Sequence, residues 1–289
     1  MKKIVFFLMT IIFAFSATAQ NRINVASYNI RCLSDNDTKE GNGWSRRCSN
    51  ITNLIRFHEF EIFGVQEAYK QQIDDMKKEM PGFEYIGVGR EDGKDAGEHA
   101  AIFYDTKKFK VLKNGDFWLS QTPDKPSTGW DAALPRICTW GLFKHISTGK
   151  KFLFFNLHMD HIGINARVQS ALLIEKKIND MGKDYPVILT GDFNVDQTES
   201  AYNTIMASGK LNDSHDKAEI VYDNNGTYNA YKTNRYTNSR IDHIFVSNNI
   251  SVLKWGVLTD MYWSKEEGDN NYQIRVPSDH FPITASIQF

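Results

Sequence analysis

The chain has 289 residues, of which 41% are hydrophobic, a net charge of −1 and three cysteines. The apolar content is sufficient for a packed core, and the near-zero charge excludes the general basic field typical of proteins that bind long nucleic acids strongly. The odd number of cysteines leaves two alternatives open, a Cys32–Cys48 disulfide and free buried thiols.

The first segment, residues 1–19, has the pattern of a cleaved signal peptide. Lys2 and Lys3 precede an apolar run at 4–15, and Ala17-Thr18-Ala19 supplies the small residues of a cleavage site. A membrane anchor is the alternative, but the run is shorter than the ~20 residues that span a bilayer. We therefore expect export to the periplasm or the outside, no stable membrane insertion, and a monomeric mature chain, residues 20–289, with a net charge of −3.

Strand-like and helix-like patterns alternate along the rest of the chain. Strands are predicted at 24–30, 62–65, 85–88, 100–104, 110–119, 137–145, 151–157, 186–190, 241–246, 252–257 and 282–289. Helices are predicted at 47–58, 69–80 and 166–181, and polar loops at 89–98 and 120–135. Because no linker or repeat interrupts this order, the sequence predicts a single α/β domain.

Polar side chains stand at the ends of several apolar strand-like runs. They are Asn29, Glu67, His158, Asp192, Asn194, Asp242, Asp279 and His280. Strand ends in α/β folds commonly converge on one rim where ligands bind. Carboxylate and amide oxygens suit a hard cation such as Mg²⁺, with Mn²⁺ as an alternative, and such an ion assists the hydrolysis of phosphate esters.

Glu67 follows an apolar run, where an unpaired carboxylate would be costly, so we interpret it as a metal ligand; an exposed strand-end Glu is the alternative. Asp192 could orient or deprotonate the attacking water while Asn194 donates to the phosphoryl or leaving oxygen, the alternative being an Asx turn.

Asp242 is predicted to bond His280 and fix its tautomer, with Asp279 at the metal or water and His158 as a further phosphate ligand. A zinc cluster of His158, Asp160 and His161 is a competing hypothesis, although no Cys pair or His-x-x-x-His helix supports it.

Six short motifs occur in a fixed order over nearly the whole mature chain. They are Ser27-Tyr28-Asn29-Ile30-Arg31, Gln66-Glu67, Asn156-Leu157-His158, Gly191-Asp192-Phe193-Asn194, Arg240-Ile241-Asp242 and Ser278-Asp279-His280. Together they resemble the motif set of the endonuclease/exonuclease/phosphatase superfamily, which includes deoxyribonuclease I. The resemblance implies two mixed β-sheets packed face to face with flanking helices, a four-layer α/β sandwich. It also implies that Glu67 binds the metal, with Asn29 near it contacting the metal or the phosphate and Asp279 completing the site.

The loops 89–99 and 129–136 resemble loops in a branch of secreted bacterial members. Arg136 could clamp a phosphoryl oxygen, and Trp130 and Trp44 could stack on a base or sugar, with surface salt bridges and core packing as the alternatives. Arg31, Glu98 and Asn229 complete the predicted substrate contacts.

The sequence therefore predicts a metal-dependent hydrolase of phosphate esters, with a phosphodiesterase or nuclease type of activity and an Asp-activated water. The alternatives are a phosphomonoesterase on sugar, inositol or lipid-headgroup phosphates, and a non-catalytic binding module on the same fold. The substrate is expected to be a short nucleic acid, a nucleotide, or a headgroup or sugar phosphate. No exposed apolar hairpin of the sphingomyelinase kind is expected, although residues 261–263 could reach a membrane.

Overall fold

A computed structural model describes residues 22–268 and 270–289, so the predicted signal peptide lies outside the described residues. The strands are β1 (Arg22–Asn29), β2 (Ile62–Gln66), β3 (Phe83–Ile86), β4 (Ile102–Asp105), β5 (Phe109–Trp118), β6 (Ile137–His145), β7 (Lys151–His158), β8 (Val187–Asp192), β9 (Leu211–Asp213), β10 (Ile220–Tyr222), β11 (Asp242–Ser247), β12 (Ser251–Val257), β13 (Tyr262–Lys265), β14 (Tyr272–Arg275) and β15 (Ile283–Gln288). The helices are α1 (Asp35–Lys39), α2 (Trp44–Phe57), α3 (Lys70–Glu79), α4 (Ile164–Met181), α5 (Ser200–Ala207) and α6 (Ser214–Lys217). Within these ranges, none of the helices combines the length and apolar character that crossing a bilayer requires.

The strands form two large mixed sheets. One has seven strands in the order β10-β12-β15-β1-β2-β4-β3, and the other has six in the order β5-β6-β7-β8-β11-β9. In each sheet a parallel pair, β1 with β2 or β7 with β8, is flanked by antiparallel neighbours. A separate two-stranded ribbon joins β13 to β14.

The sheets pack face to face, and helices cover their outer faces. Val25 and Ile283 of one sheet and Phe154 and Ile188 of the other belong to one buried cluster between the sheets. Helices α2 and α3 pack on the seven-stranded sheet, and α4 and α5 pack on the six-stranded sheet. Because β2 and β8 are covered on both faces, every residue of each is buried, which explains their continuous apolar runs. The predicted four-layer fold is confirmed.

The topology brings the polar strand ends together. Strands β1 and β2 run parallel and end beside each other, and β7 and β8 do the same in the facing sheet. The register places His158 beside Asp192, and Asp192 opposite Asp242 at the start of antiparallel β11. Functional residues that lie far apart in sequence thus meet at one rim of the sandwich.

The structure also departs from the expectations. The ribbon β13–β14, which the apolar patterns did not predict, exposes Trp263, Tyr272 and Ile274. Cross-strand pairing places these three side chains on one face of the ribbon, since Trp263 pairs with Ile274 and Lys265 with Tyr272. Cys32 and Cys48 are free thiols, which decides between the two alternatives left open for them.

Candidate active site

Asp192, at the end of β8, lies at the centre of the polar rim. Its Oδ2 accepts a hydrogen bond of 2.9 Å from Asn29 Nδ2, and its Oδ1 accepts one of 2.9 Å from the backbone N–H of Asn194. The same Oδ2 lies 3.6 Å from His158 Nε2 and 3.7 Å from His280 Nε2. Burial and the nearby charge of Asp242 raise the pKa of Asp192 to about 7. A carboxyl group with such a pKa is suited to accept a proton near neutral pH.

Glu67 follows β2 and faces Asp192 across the rim. Its Oε1 accepts a 2.9 Å hydrogen bond from Asn29 Nδ2, and its Oε2 accepts one of 3.1 Å from the backbone N–H of Cys32. Burial opposes ionisation, but the Asn29 hydrogen bond and the charges of His280 and Arg31 hold the pKa of Glu67 below its usual value. Glu67 is therefore an ionised carboxylate in a largely enclosed position.

Asn29 connects these two carboxylates. Its Oδ1 accepts a 3.0 Å hydrogen bond from the backbone N–H of Arg31, which fixes the orientation of the amide. The amide nitrogen consequently faces the carboxylates of Glu67 and Asp192, and the amide oxygen is already engaged. In this arrangement Asn29 orients Glu67, which differs from the predicted direct contact of Asn29 with the metal or the phosphate.

Asp242 and His280 form a buried pair behind Asp192. Asp242 Oδ2 lies 2.8 Å from His280 Nδ1, so the other ring nitrogen of His280 faces the pocket. Although burial opposes the charged form, Asp242 and Asp192 raise the pKa of His280 to about 10. The imidazole is thus a cation at neutral pH, and the ring of Tyr228 packs against it with centroids 5.1 Å apart.

The charge of His158 differs from that of His280. Burial and the charges of Arg136 and Arg90 lower the pKa of His158 well below its usual value, so the ring is neutral. Asn194 Nδ2 lies 3.2 Å from His158 Nε2 and also donates to the carbonyl of Met159 at 3.0 Å. The pocket therefore contains one cationic and one neutral histidine.

Two loops bring further charged groups to the rim. Arg90 and Glu98 face each other as a pair, with 2.7 Å between Nη1 and Oε2 and 2.9 Å between Nη2 and Oε1. Arg136 Nε donates to Asp160 Oδ2 at 3.2 Å, and its Nη2 lies 2.8 Å from His161 Nδ1. Burial raises the pKa of Glu98, while Arg90 opposes that shift.

These groups surround a pocket of about 410 Å³. It is lined by Arg31, Cys32, Glu67, Glu98, Leu134, Arg136, His158, His161, Asp192, Asn194, Tyr228, Ile241, Asp279 and His280. Arg31 also stands between two of the lining carboxylates, with Nη1 3.8 Å from both Glu67 Oε2 and Asp279 Oδ2.

Three residues of the site adopt backbone conformations that are costly for a side chain. Arg31, Glu67 and Asn194 have φ values of 57°, 63° and 51°, in the left-handed region. Such positions cost on the order of 1 kcal/mol each and persist where the surroundings determine them. At Glu67 the turn directs the carboxylate to Asn29 and the Cys32 N–H.

A divalent cation fits this set of donors. Glu67, His158 and Asp192 offer ligand atoms within 4.8 Å of one another, and so do Asp192, Asp242 and His280. In the second group His280 is protonated and bonded to Asp242, so its ring nitrogens offer no lone pair to an ion. Burial and the nearby charge of Glu67 raise the pKa of Asp279. A bound cation would offset this repulsion between the two carboxylates. Glu67 is the carboxylate of the first group that would hold the ion, and Asp279 lies beside it, since the Oδ2 of Asp279 and the Oε2 of Glu67 are both 3.8 Å from Arg31 Nη1.

The structure brings most of the predicted site residues to one pocket. The exceptions are Asn229, Trp130, Trp44 and, from the zinc hypothesis, Asp160. Asn29 and Asp242 do not line the pocket themselves, but they contact Glu67 and His280, which do. Asn229 is buried, and its side-chain amide donates to the carbonyl of Ser278. It therefore supports the backbone before Asp279 and does not reach the pocket. Trp130 is not among the residues that line the pocket. Trp44 is buried at the start of α2 and donates to Asp75.

The zinc hypothesis is wrong for the described residues. Asp160 accepts from Arg136 and from backbone N–H groups of Ile162 and Gly163, and His161 is about half exposed. Neither residue joins His158 in a group of potential ligands among residues 22–268 and 270–289.

Sequence reasoning missed Cys32, Leu134, His161, Tyr228 and Ile241 as residues that line the pocket. Ile241 directly precedes β11 and was named only as part of a motif, and His161 was named only as a zinc ligand. Cys32, Leu134 and Tyr228 lie between the strands and helices, in positions that the apolar patterns do not encode. Asp242, by contrast, was predicted as a site residue but does not line the pocket; it contributes through its contact with His280.

The fold is an α/β sandwich whose rim carries carboxylates and histidines, and the comparison with known proteins identifies the family. The family model described as Endonuclease/Exonuclease/phosphatase family matches residues 26–280, so the chain belongs to this family. Members of the family are phosphoester hydrolases.

Solved structures of similar proteins cover nearly the whole chain. The mannosyl-6-phosphatase Bt3783 of Bacteroides thetaiotaomicron is 54% identical, with a TM-score of 0.90, over 92% of this chain and 100% of its own. A second family protein from that organism is 53% identical, with a TM-score of 0.91, over 93% of this chain and 98% of its own.

An uncharacterized protein of Acanthamoeba polyphaga mimivirus, L388, is 34% identical over 163 residues, which is 53% of this chain and 60% of that protein. The chain thus spans between 52% and 60% of the length of the curated relatives it matches.

Proposed function

We propose that the protein is a divalent-metal-dependent phosphomonoesterase that removes the phosphate from a sugar phosphate. The observation that carries the proposal is the similarity to the mannosyl-6-phosphatase, 54% identity over 92% of this chain. The sequence alone favoured a phosphodiesterase, and the proposal adopts the monoesterase alternative instead.

The shape and charge of the pocket support a small substrate. A volume of about 410 Å³ lies in the lower part of the range of ~300–1,000 Å³ found for small-molecule sites. Arg90 and Arg136 are paired with Glu98 and Asp160, so their charges are not free for a polynucleotide backbone. A terminal phosphate with one sugar ring suits such a pocket better than an extended strand does.

The residues suggest how hydrolysis proceeds. Asp192 accepts a proton from the water that adds to phosphorus, and the bond from phosphorus to the sugar oxygen breaks. The sugar oxygen takes up a proton from solvent and Asp192 returns its own to solvent, which leaves inorganic phosphate and a free hydroxyl group. The cationic His280, held by Asp242, donates to a phosphoryl oxygen. Asn194, whose amide nitrogen is engaged by His158 Nε2 and the carbonyl of Met159, holds the ring of His158 instead of donating to the substrate as predicted. A bound Mg²⁺ would supply further charge neutralisation at the phosphate, and Glu67 and Asp279 would hold it.

The test is a comparison of three substrates with the chain that begins at residue 20. Mannose 6-phosphate, p-nitrophenyl phosphate and bis(p-nitrophenyl) phosphate are incubated with Mg²⁺, Mn²⁺ or EDTA. We expect metal-dependent release of phosphate from the two monoesters and little turnover of the diester. Asp192→Asn should abolish the activity, whereas Asp124→Asn, at an exposed carboxylate, should not. Turnover of the diester alone would refute the proposal.

We also propose that the chain is exported. The proposal rests on the basic, apolar and small-residue pattern of residues 1–19. Mass spectrometry of the protein recovered from fractionated cells should find an N-terminus at Gln20 outside the cytoplasm, and an intact Met1 in the cytoplasm would contradict it.

A further inference from the structure

The pocket has two walls of different chemistry. One wall carries the groups assigned above to the phosphate and the metal, centred on Glu67, Asp192 and His280. The other wall carries Glu98 and Arg136, and it comes from the loops around residues 89–99 and 129–136. The proposed hydrolysis gives this second wall no task.

Glu98 is an acceptor that is fixed in place. Arg90 contacts both of its carboxylate oxygens and is itself buried, so the carboxylate has a single orientation. A carboxylate offers about four lone-pair positions, of which a paired guanidinium uses two. Glu98 Oε2 lies 2.7 Å from Arg90 Nη1 in this ion pair, and His158 Nδ1 lies 3.7 Å from the same oxygen. The lone-pair positions that Arg90 does not use remain available to a ligand.

Donors stand on the same wall. His158 Nδ1 and Arg136 Nη1 are buried and have no hydrogen-bond partner within residues 22–268 and 270–289. Buried polar groups are rarely left unpaired in folded proteins, so unpaired donors beside a carboxylate that lines the same pocket indicate a ligand that both accepts and donates hydrogen bonds.

The charges on this wall exclude a charged ligand group. A phosphate here would approach the carboxylate of Glu98, and a cation would approach Arg90 and Arg136. A hydroxyl group is neutral, and it donates one hydrogen bond and accepts others. Leu134, which is partly exposed, adds an apolar surface beside these groups, as the carbon face of a sugar ring requires.

We propose that Glu98, oriented by Arg90, and Arg136, oriented by Asp160, form a subsite that binds the hydroxyl groups of the sugar and thereby determines which phosphate monoester is hydrolysed. The proposal rests on the proposed sugar-phosphatase function, and it replaces the prediction that Arg136 clamps a phosphoryl oxygen. Glu98 accepts a hydrogen bond from a sugar hydroxyl, and Arg136 donates to a sugar oxygen.

The first experiment compares Glu98→Gln with Glu91→Gln, an exposed position in the same loop. For Glu98→Gln we expect kcat/KM on mannose 6-phosphate to fall by about 10- to 100-fold, the loss of a hydrogen bond to a charged group, and kcat/KM on p-nitrophenyl phosphate to change by less than about 3-fold. Glu91→Gln should leave both values unchanged. Equal losses on the two substrates would overturn the subsite, because a merely structural role of Glu98 affects both.

A second variant addresses folding. Glu98→Asp keeps the charge that pairs with Arg90 but withdraws the carboxylate from the pocket by one methylene group. It should show the same selective loss on mannose 6-phosphate, with a melting temperature within a few degrees of the wild type. Unchanged selectivity in Glu98→Asp would contradict the proposal.

A binding measurement separates this proposal from the proposed function. Mannose 6-sulfate, which is not a phosphate ester, and inorganic phosphate are titrated calorimetrically into wild-type protein and Glu98→Gln. We expect the variant to bind the sulfate ester at least about 10-fold more weakly and phosphate within about 2-fold of the wild type. If the wild type binds the sulfate ester but hydrolyses no monoester, the proposed function fails and the subsite stands. If the wild type does not bind it, the subsite fails whatever the activity.

Discussion

Asp242 Oδ2 lies 2.8 Å from His280 Nδ1, and the opposite nitrogen of the same ring lies 3.7 Å from Asp192 Oδ2. The imidazole therefore stands between two buried carboxylates, and its orientation depends on the one that faces away from the pocket. Removing that carboxylate charge should affect the reaction although Asp242 does not line the pocket.

The first prediction concerns this pair. Asp242→Asn keeps the size of the side chain but removes the charge that stabilises the imidazolium, so kcat should fall by roughly 100-fold or more. The measurement is steady-state hydrolysis of p-nitrophenyl phosphate, with circular dichroism to verify folding and Asp124→Asn as the control for the same chemical change. A variant that folds and retains more than half of the wild-type kcat would contradict the assigned role of Asp242.

The second prediction concerns the metal. Glu67→Gln should lower kcat/KM on the order of 100-fold or more, because it removes a charged ligand at the ion. Since a ligand that binds only the folded state raises the melting temperature, Mg²⁺ should stabilise the wild type and have a smaller effect on Glu67→Gln. Full activity of the wild type in EDTA, or equal stabilisation of both proteins by Mg²⁺, would show that Glu67 does not bind a required ion.

The third prediction concerns the buried link between the sheets. Asn156 on β7 donates to the carbonyls of Val65 and Ala101 and accepts from Gln66 and Thr190. Asn156→Ala leaves these groups unpaired, so we expect the free energy of unfolding to fall by about 2–4 kcal/mol. Urea unfolding of this variant can be compared with that of Asn114→Ala, at an exposed position on β5, which should change stability by less than about 0.5 kcal/mol.

The fourth prediction concerns pH. Burial opposes ionisation of Asp160, but backbone N–H groups of the adjoining loops and Arg136 lower its pKa to about 2. Because the pKa is lower in the folded chain than the ~3.9 expected in the unfolded one, the stabilisation is complete above about pH 4 and is lost as the pH falls towards 2. Asp160→Asn should lower the free energy of unfolding by about 2 kcal/mol near neutral pH.

Unfolding free energies measured between pH 7 and pH 2 test this prediction. The difference between the wild type and Asp160→Asn should shrink as the pH falls below about 4. A difference that stays constant down to pH 2 would show that the charge of Asp160 does not contribute.

Much of the site was predictable because buried strands appear in the sequence as apolar runs, and the polar residues at their ends follow these runs directly. Glu67, His158 and Asp192 each follow an apolar run, and in a sandwich with parallel central pairs such runs end at one rim. The position of Asp242 opposite Asp192 follows from an antiparallel register that no local pattern specifies.

The parts that were missed depend on loops and on short exposed strands. Tyr228 lines the pocket while its neighbour Asn229 supports the backbone, and composition does not distinguish a side chain that points in from one that points away. The strands β13 and β14 are four residues each and largely exposed, so they lack the apolar run by which the buried strands were identified.

The left-handed conformations of Arg31, Glu67 and Asn194 have a consequence for protein engineering. Glycine adopts such conformations without steric cost, so replacement of any of the three would relieve the backbone while removing a side chain that the pocket uses. Because selection for resistance to heat does not act on activity, such a selection should also screen each round for turnover, so that glycine at these positions is rejected.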